Sequence, residues 1–136
     1  MTDAPLAGLR IIDMTRLLPG PAMTMHLADF GADILKVEDT GEGDAMRRFP
    51  PTVELASGEQ VNTAFEATNR GKRSIAIDLK QAAGRELLLQ LAATADALVE
   101  GFRPGVLDRL GLGWEAMQRR NPKLVLCSLT GYGQSG

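Results

Sequence analysis

The chain of 136 residues holds one cysteine, Cys127, and one histidine, His26. One thiol cannot close an internal disulfide, and one thiol with one imidazole falls short of most zinc ligand sets and of most nucleophile–base triads. The lone cysteine agrees with a reducing compartment. Excess positive charge is missing as well: 15 Lys plus Arg stand against 17 Asp plus Glu, a formal net charge of -2. No global field exists to hold a phosphate backbone, so nucleic acid is not expected as a partner. Long apolar runs are absent, and the opening MTDAPLAGLR lacks the basic and apolar regions of a signal peptide. No membrane association is expected, and the expected location is the cytoplasm.

What is present is an ordinary globular composition, 44% hydrophobic, in short alternating stretches. Leu9 to Met14 (LRIIDM), Asp33 to Glu38 (DILKVE), Arg73 to Leu79 (RSIAIDL), Ala97 to Glu100 (ALVE) and Lys123 to Ser128 (KLVLCS) are too short for stable helices, and β-branched residues recur in them. Each is predicted as a strand. Pro21 to Phe30, between an entry proline and Gly31, is predicted as a helix. Asp39 to Pro51 carries three acids, two glycines and two prolines and is expected as a long surface loop. Gln60 to Thr68 is expected as a weak helix. Asp78 and Gln81 have capping-box spacing, and Ala83, Leu87, Leu91 and Ala95 follow at intervals of four, which predicts a firmer helix. Val106 to Leu110 and Trp114 to Arg120 complete the helical pieces. Strands alternating with helices imply an α/β fold with a largely parallel sheet, because parallel neighbours need a crossover.

Four motifs carry possible chemistry. Leu17-Leu18-Pro19-Gly20-Pro21 follows the first strand and opens the first helix, where free backbone donors could meet a phosphate or a pantetheine amide. A helix entry punctuated by Pro and Gly explains it equally well. Asn69-Arg70-Gly71-Lys72-Arg73 gathers three cations, as a polyphosphate would require, although charge runs are commonly just solvated. Glu100-Gly101-Phe102-Arg103-Pro104-Gly105 places a ring and a guanidinium after the fourth strand, which suits a nucleotide or a Phe tucked under a tight turn. Gly131-Tyr132-Gly133-Gln134-Ser135-Gly136 matches G-x-G-x-x-G, but it has no following helix or downstream acid. A turn needing glycine dihedrals is the simpler reading. His26 reads as a packed or surface side chain, and Cys127 as a small core residue.

Taken together, LRIIDMTRLLPGP, LADFGADILKVE, NRGKRSIAIDLK, ADALVEGFRPGVLDRLGLG and NPKLVLCSLTGYGQSG resemble, in order, the amino-terminal part of the class III CoA-transferase family, which includes the α-methylacyl-CoA racemases and carnitine CoA-transferase relatives. The resemblance runs from about Leu6 to Gly136. It implies a Rossmann-like large domain of parallel strands flanked by helices, a smaller second domain that this stretch lacks, and an interlocked homodimer. Residues 1–136 would then be the CoA-binding part of the large domain, and the terminal glycine loop suggests a truncated chain.

By position, the resemblance puts CoA contacts on Leu17, Leu18 and Pro19, on Asn69, Arg70, Lys72 and Arg73, and on Gly101, Phe102, Arg103 and Arg109. Where many relatives carry an Arg after the KVE-like strand to meet a CoA phosphate, this chain has Asp39, so either another Arg substitutes, with Arg47 and Arg48 as candidates, or affinity suffers. The Asn69 turn precedes its strand, which puts it at the sheet edge opposite the other loops. No permanently bound cofactor is implied; CoA or acyl-CoA is substrate, with a carboxylic acid as acceptor. Family transferases use an aspartate nucleophile and an aspartyl-CoA thioester, whereas family racemases use a His and Asp pair to move the proton α to the thioester. Both sets lie beyond the matched segment, so no catalytic residue is assigned here. CoA transfer between carboxylic acids by the full-length parent is the expected function; an α-methylacyl-CoA racemase fragment and a CoA- or nucleotide-binding module without chemistry are the alternatives.

Overall fold

The computed structural model describes residues 4–135. The first strand, β1 (Arg10–Asp13), leads into helix α1 (Pro19–Asp29) and strand β2 (Asp33–Glu38). After a 3-10 turn at Ala45–Arg48 come a hairpin of β3 (Thr52–Glu54) and β4 (Gln60–Asn62), then helix α2 (Thr63–Asn69). Strand β5 (Arg73–Ala76), helix α3 (Ala82–Ala92), strand β6 (Ala97–Glu100), helices α4 (Val106–Arg109) and α5 (Trp114–Arg120) and strand β7 (Val125–Ser128) complete the described chain. Five strands form one parallel sheet in the order β5-β2-β1-β6-β7, with Ile12 opposite Leu35 and Leu98. The chain steps outward from β1 through β2 to β5 and then returns to the other side of β1. The strand order therefore reverses between β1 and β6, where open α/β sheets bind ligands beyond the strands' carboxyl ends.

Because strand side chains alternate in direction, Ile11 and Ile12 enter different cores. Ile12 joins Val37, Leu88, Leu98, Leu107, Leu112, Met117 and Leu124 under α3, α4 and α5. Ile11 joins Ile34 and Val99, with Met23, Leu27 and Cys127 packed against them beneath α1. The α/β, Rossmann-like expectation holds, and so does Cys127 as a small packing residue.

The differences are local. Gln60 to Asn62 is not helical: it pairs antiparallel with Thr52–Glu54, the turn closed by the Gly58 amide on the Leu55 carbonyl at 2.8 Å. The helix begins only at Thr63, where the Asn62 side chain accepts the Phe65 amide at 2.7 Å. Asp78 makes no capping box, because its carboxylate takes the Lys80 amide at 2.9 Å and α3 begins after Gln81. The third strand stops at Ala76, and Ile77 to Lys80 turn across the carboxyl edge of the sheet instead of extending it. The loop after β2 is organised by Asp44, whose side chain accepts the Met46 amide at 3.0 Å. Gly136, the last residue of the glycine pattern, lies outside the described residues.

Candidate functional site

The carboxyl end of β1 is held by buried charge. Asp13 accepts from the Thr15 amide (2.9 Å), the Thr24 hydroxyl (2.6 Å) and the Lys72 ammonium (3.0 Å), which also donates to the Pro21 carbonyl and the Asn69 side chain. Burial pushes the Asp13 carboxyl up, but Lys72, the two hydroxyls and Lys36 outweigh it, and the group sits below its ordinary value. For Lys72 burial wins over Asp13, and its ammonium sits below the ordinary lysine value. Gly20 lets α1 start against this cluster: a Cβ there would stand 2.2 Å from the Thr15 Cβ.

A second buried pair fixes the loop between β1 and α1. Lys36 on β2 donates to Asp44 at 2.9 Å and to the Thr15 carbonyl at 2.9 Å, both side chains being essentially fully buried. Asp44 in turn accepts the Leu17 amide on both oxygens, at 3.0 and 3.2 Å. Leu17 has φ of 65°, the left-handed region that non-glycine residues rarely occupy. Glu38 anchors the far side, accepting from the Asp44 amide (2.9 Å), the Ser74 hydroxyl (2.8 Å) and Arg47 through two bonds (2.8 and 2.7 Å). The Arg47 guanidinium is the largest influence on the Glu38 carboxyl, which is held down to about 2.

Beside this scaffold lies a largely apolar cleft enclosing about 190 Å³. Met14, Val37, Ile77, Leu79 and Leu110 supply its apolar lining, with Arg16, Asp39 and Lys80 among its charged residues. Phe102 lines both this cleft and a neighbouring one bounded by Thr15, Leu17, Pro19, Gly20, Gly101 and Leu129. Its amide donates to the buried Glu100 carboxylate at 2.7 Å, which fixes the ring's position after β6. Arg16 stands 5.8 Å from the Phe102 ring centroid and 3.5 Å from Asp39. Backbone amides, that of Glu42 first, hold the Asp39 carboxyl below its ordinary value.

The structure thus gathers Leu17, Pro19, Gly101 and Phe102 at the reversal of strand order. Leu18 is exposed at the entry of α1. Arg103 lines an adjoining recess with Gly101, Phe102, Pro104 and Tyr132, and Arg109 lies one turn into the helix that Gly105 starts with φ of 77°. The Asn69 turn is not brought to the cleft. Arg70 pairs with Asp29 at 2.5 Å, Lys72 is buried on Asp13, and Arg73 forks onto Asp33 at 2.6 and 2.8 Å. These cations are partnered within the fold. Arg47 and Arg48, considered as replacements for an arginine at position 39, pair with Glu38 and Glu42. Arg16 and the Ile77 to Lys80 segment, absent from the sequence-based site, belong to the cleft. The signal for them was the carboxyl-end rule applied to the chain leaving β5 instead of the chain entering it.

Comparison with known proteins places this arrangement. The family model described as CoA-transferase family III matches residues 6–136. The succinate–glutarate CoA-transferase of Agrobacterium fabrum is 48% identical over 100% of this chain and 36% of its own length. The succinyl-CoA:glutarate CoA-transferase of Mus musculus is 45% identical over 97% of this chain and 29% of its own. A crystal structure of a CAIB/BAIF family protein from Brucella suis superposes with a TM-score of 0.91 at 43% identity, covering 99% of this chain and 35% of that one. The chain therefore spans about a third of the length of these relatives. Matched over nearly its whole length by the family model, the chain belongs to CoA-transferase family III.

Proposed function

We propose that the cleft beside Phe102 holds the nucleotide end of a CoA thioester, and that the protein takes part in transferring CoA between carboxylic acids. The carrying observation is the apolar cleft at the reversal of strand order, with an aromatic ring at one wall and Arg16 and Lys80 among its lining residues. An adenine can bury its faces on Phe102 and the aliphatic side chains, while the cations meet phosphate. The relatives that support this reading transfer CoA to or from succinate, glutarate and oxalate.

In the family's chemistry an aspartate carboxylate attacks the thioester carbonyl and expels CoA thiolate, leaving an acyl anhydride. The thiolate then attacks the aspartyl carbonyl, which frees the donor acid and gives an aspartyl-CoA thioester. The acceptor carboxylate repeats the two steps in reverse order. Asp13 and Asp44 do not suit the nucleophile's role, because both are buried and committed to ammonium, hydroxyl and amide donors. This chain's contribution is to seat and orient the CoA. The same proposal includes the smaller second domain, the interlocked pairing of two copies, and a cytoplasmic setting. No helix among the described residues is long and apolar enough to cross a membrane.

Calorimetric titration of the protein with CoA tests the seat directly. Saturable binding with one CoA per chain is expected, weakened by adenosine as competitor. An absence of heat with CoA, in a protein that is folded by circular dichroism, overturns the proposal.

A further inference from the structure

Five charged residues line the cleft, Arg16 and Lys80 with Glu38, Asp39 and Asp78, and the arrangement of Arg16 and Asp39 points beyond simple phosphate capture. Asp39 follows β2 directly, and one of its carboxylate oxygens accepts the Gly41 and Glu42 amides at 2.9 and 3.0 Å. That turn points the other oxygen at Arg16, 3.5 Å from its guanidinium, with both side chains roughly half exposed. The fork of Arg16 thus already faces an anion where it lines the cleft. Other arginines near this edge are engaged more closely, Arg47 by Glu38 at 2.7 Å and Arg48 by Glu42. The contact at 3.5 Å is longer than a direct charge-assisted hydrogen bond, so a better-placed phosphate oxygen could displace it.

Resting on the CoA reading above, we infer that Asp39 is an internal anion that competes with the ligand's phosphate for Arg16, making the Arg16–Asp39 pair a determinant of affinity and of which phosphorylated nucleotides are accepted. Binding must turn the Arg16 fork from Asp39 to the ligand, and the Asp39 charge stays nearby to oppose it. An exposed pair of this kind is worth little, so the brake is mild and depends on salt.

Asp39→Asn isolates the charge, since an asparagine oxygen can still accept the two turn amides. Titrations with CoA, with dephospho-CoA lacking the ribose phosphate, and with adenosine are run on wild type, D39N, R16Q and the double variant. D39N is expected to bind CoA about three- to fivefold tighter at low salt, with the gain shrinking as salt rises. Adenosine should show no gain, and dephospho-CoA shows whether the ribose phosphate or the diphosphate is the group opposed. R16Q should weaken CoA and cancel the D39N gain. Should D39N fail to fold by circular dichroism, D39S provides a second neutral side chain able to accept the turn amides. Wild-type binding with D39N equal or weaker overturns the inference and leaves the CoA reading standing. A gain that extends to adenosine or survives R16Q also overturns it. No CoA binding by either wild type or D39N overturns both.

Discussion

Leu17 is the place where the fold spends stability on the site. A leucine at φ of 65° pays roughly 1–2 kcal/mol relative to right-handed backbone. Its side chain is 41% exposed, so the apolar surface it does bury offsets about 1 kcal/mol of this. What holds the conformation is the Leu17 amide on both oxygens of Asp44, a carboxylate anchored by Lys36 at 2.9 Å. Leu17→Gly removes the penalty of the left-handed backbone and adds about 0.4–1 kcal/mol of unfolded-state entropy. With about 1 kcal/mol of side-chain burial lost as well, the balance is a protein within about 1 kcal/mol of wild type. Asp44→Asn works in the opposite direction. It leaves the Lys36 ammonium buried without its counter-charge and turns one oxygen into a donor facing donors, a loss of about 3–5 kcal/mol.

Urea unfolding with linear extrapolation reads both changes, provided the slopes match wild type. The loop also lines the cleft next to Phe102, so L17G should bind CoA more weakly although its stability stays close to that of wild type. That pairing separates a loop strained for ligand from one strained by accident of packing. If L17G loses more than 1 kcal/mol, or D44N stays within 1 kcal/mol of wild type, the reasoning about stored strain and buried charge is wrong.

Glu38 sets the acid limit. Its carboxyl is held down to about 2 from an ordinary 4.5, so its contribution is complete above pH 4.5 and drains away as pH falls toward 2. The loss comes to about 3 kcal/mol, and Glu38→Gln should flatten this part of an acid unfolding curve. Asp13 shifts in the same direction and steepens the same limb. Phe102→Ala removes the ring that lines both cavities and should weaken CoA binding by about ten- to a hundredfold, while calorimetry with free pantetheine shows little change. Arg70→Gln and Arg73→Gln, whose partners are Asp29 and Asp33 and not the cleft, should leave CoA affinity within twofold and cost at most about 1 kcal/mol of stability each.

The sheet was legible because its strands are short β-branched runs with a crossover between neighbours, and burial follows residue type closely: Ile11, Ile12, Ile34, Leu98 and Val99 all face inward. The hairpin was not legible. Thr52–Glu54 is exposed throughout, and Gln60–Asn62 is three residues long, so neither offers an apolar alternation. The loops after β1 and β6 were found because Pro-Gly and Phe-Arg punctuation marks them at the right edge. The buried ions were not found, since whether Lys36 or Lys72 enters the core depends on an aspartate 8 or 59 residues away. A lysine in a basic run reads as solvated until α1 is seen lying over it.

The ion pairs of the Asn69 turn bear on the site. Three cations clustered in sequence look like a phosphate clamp, yet a clamp needs positive charge that the fold has not already neutralised. Arg70, Lys72 and Arg73 each meet an aspartate, from α1, β1 and β2, and so tie the turn between α2 and β5 to those elements. The cleft is left with a mainly apolar surface and two cations, Arg16 and Lys80, among three acids, and Arg16 already faces one of them. On the proposed CoA reading, binding draws most of its free energy from burying a flat apolar group and uses charge chiefly for orientation. Raising salt should therefore change CoA affinity only modestly, and should not abolish binding as it would for a polyphosphate clamp.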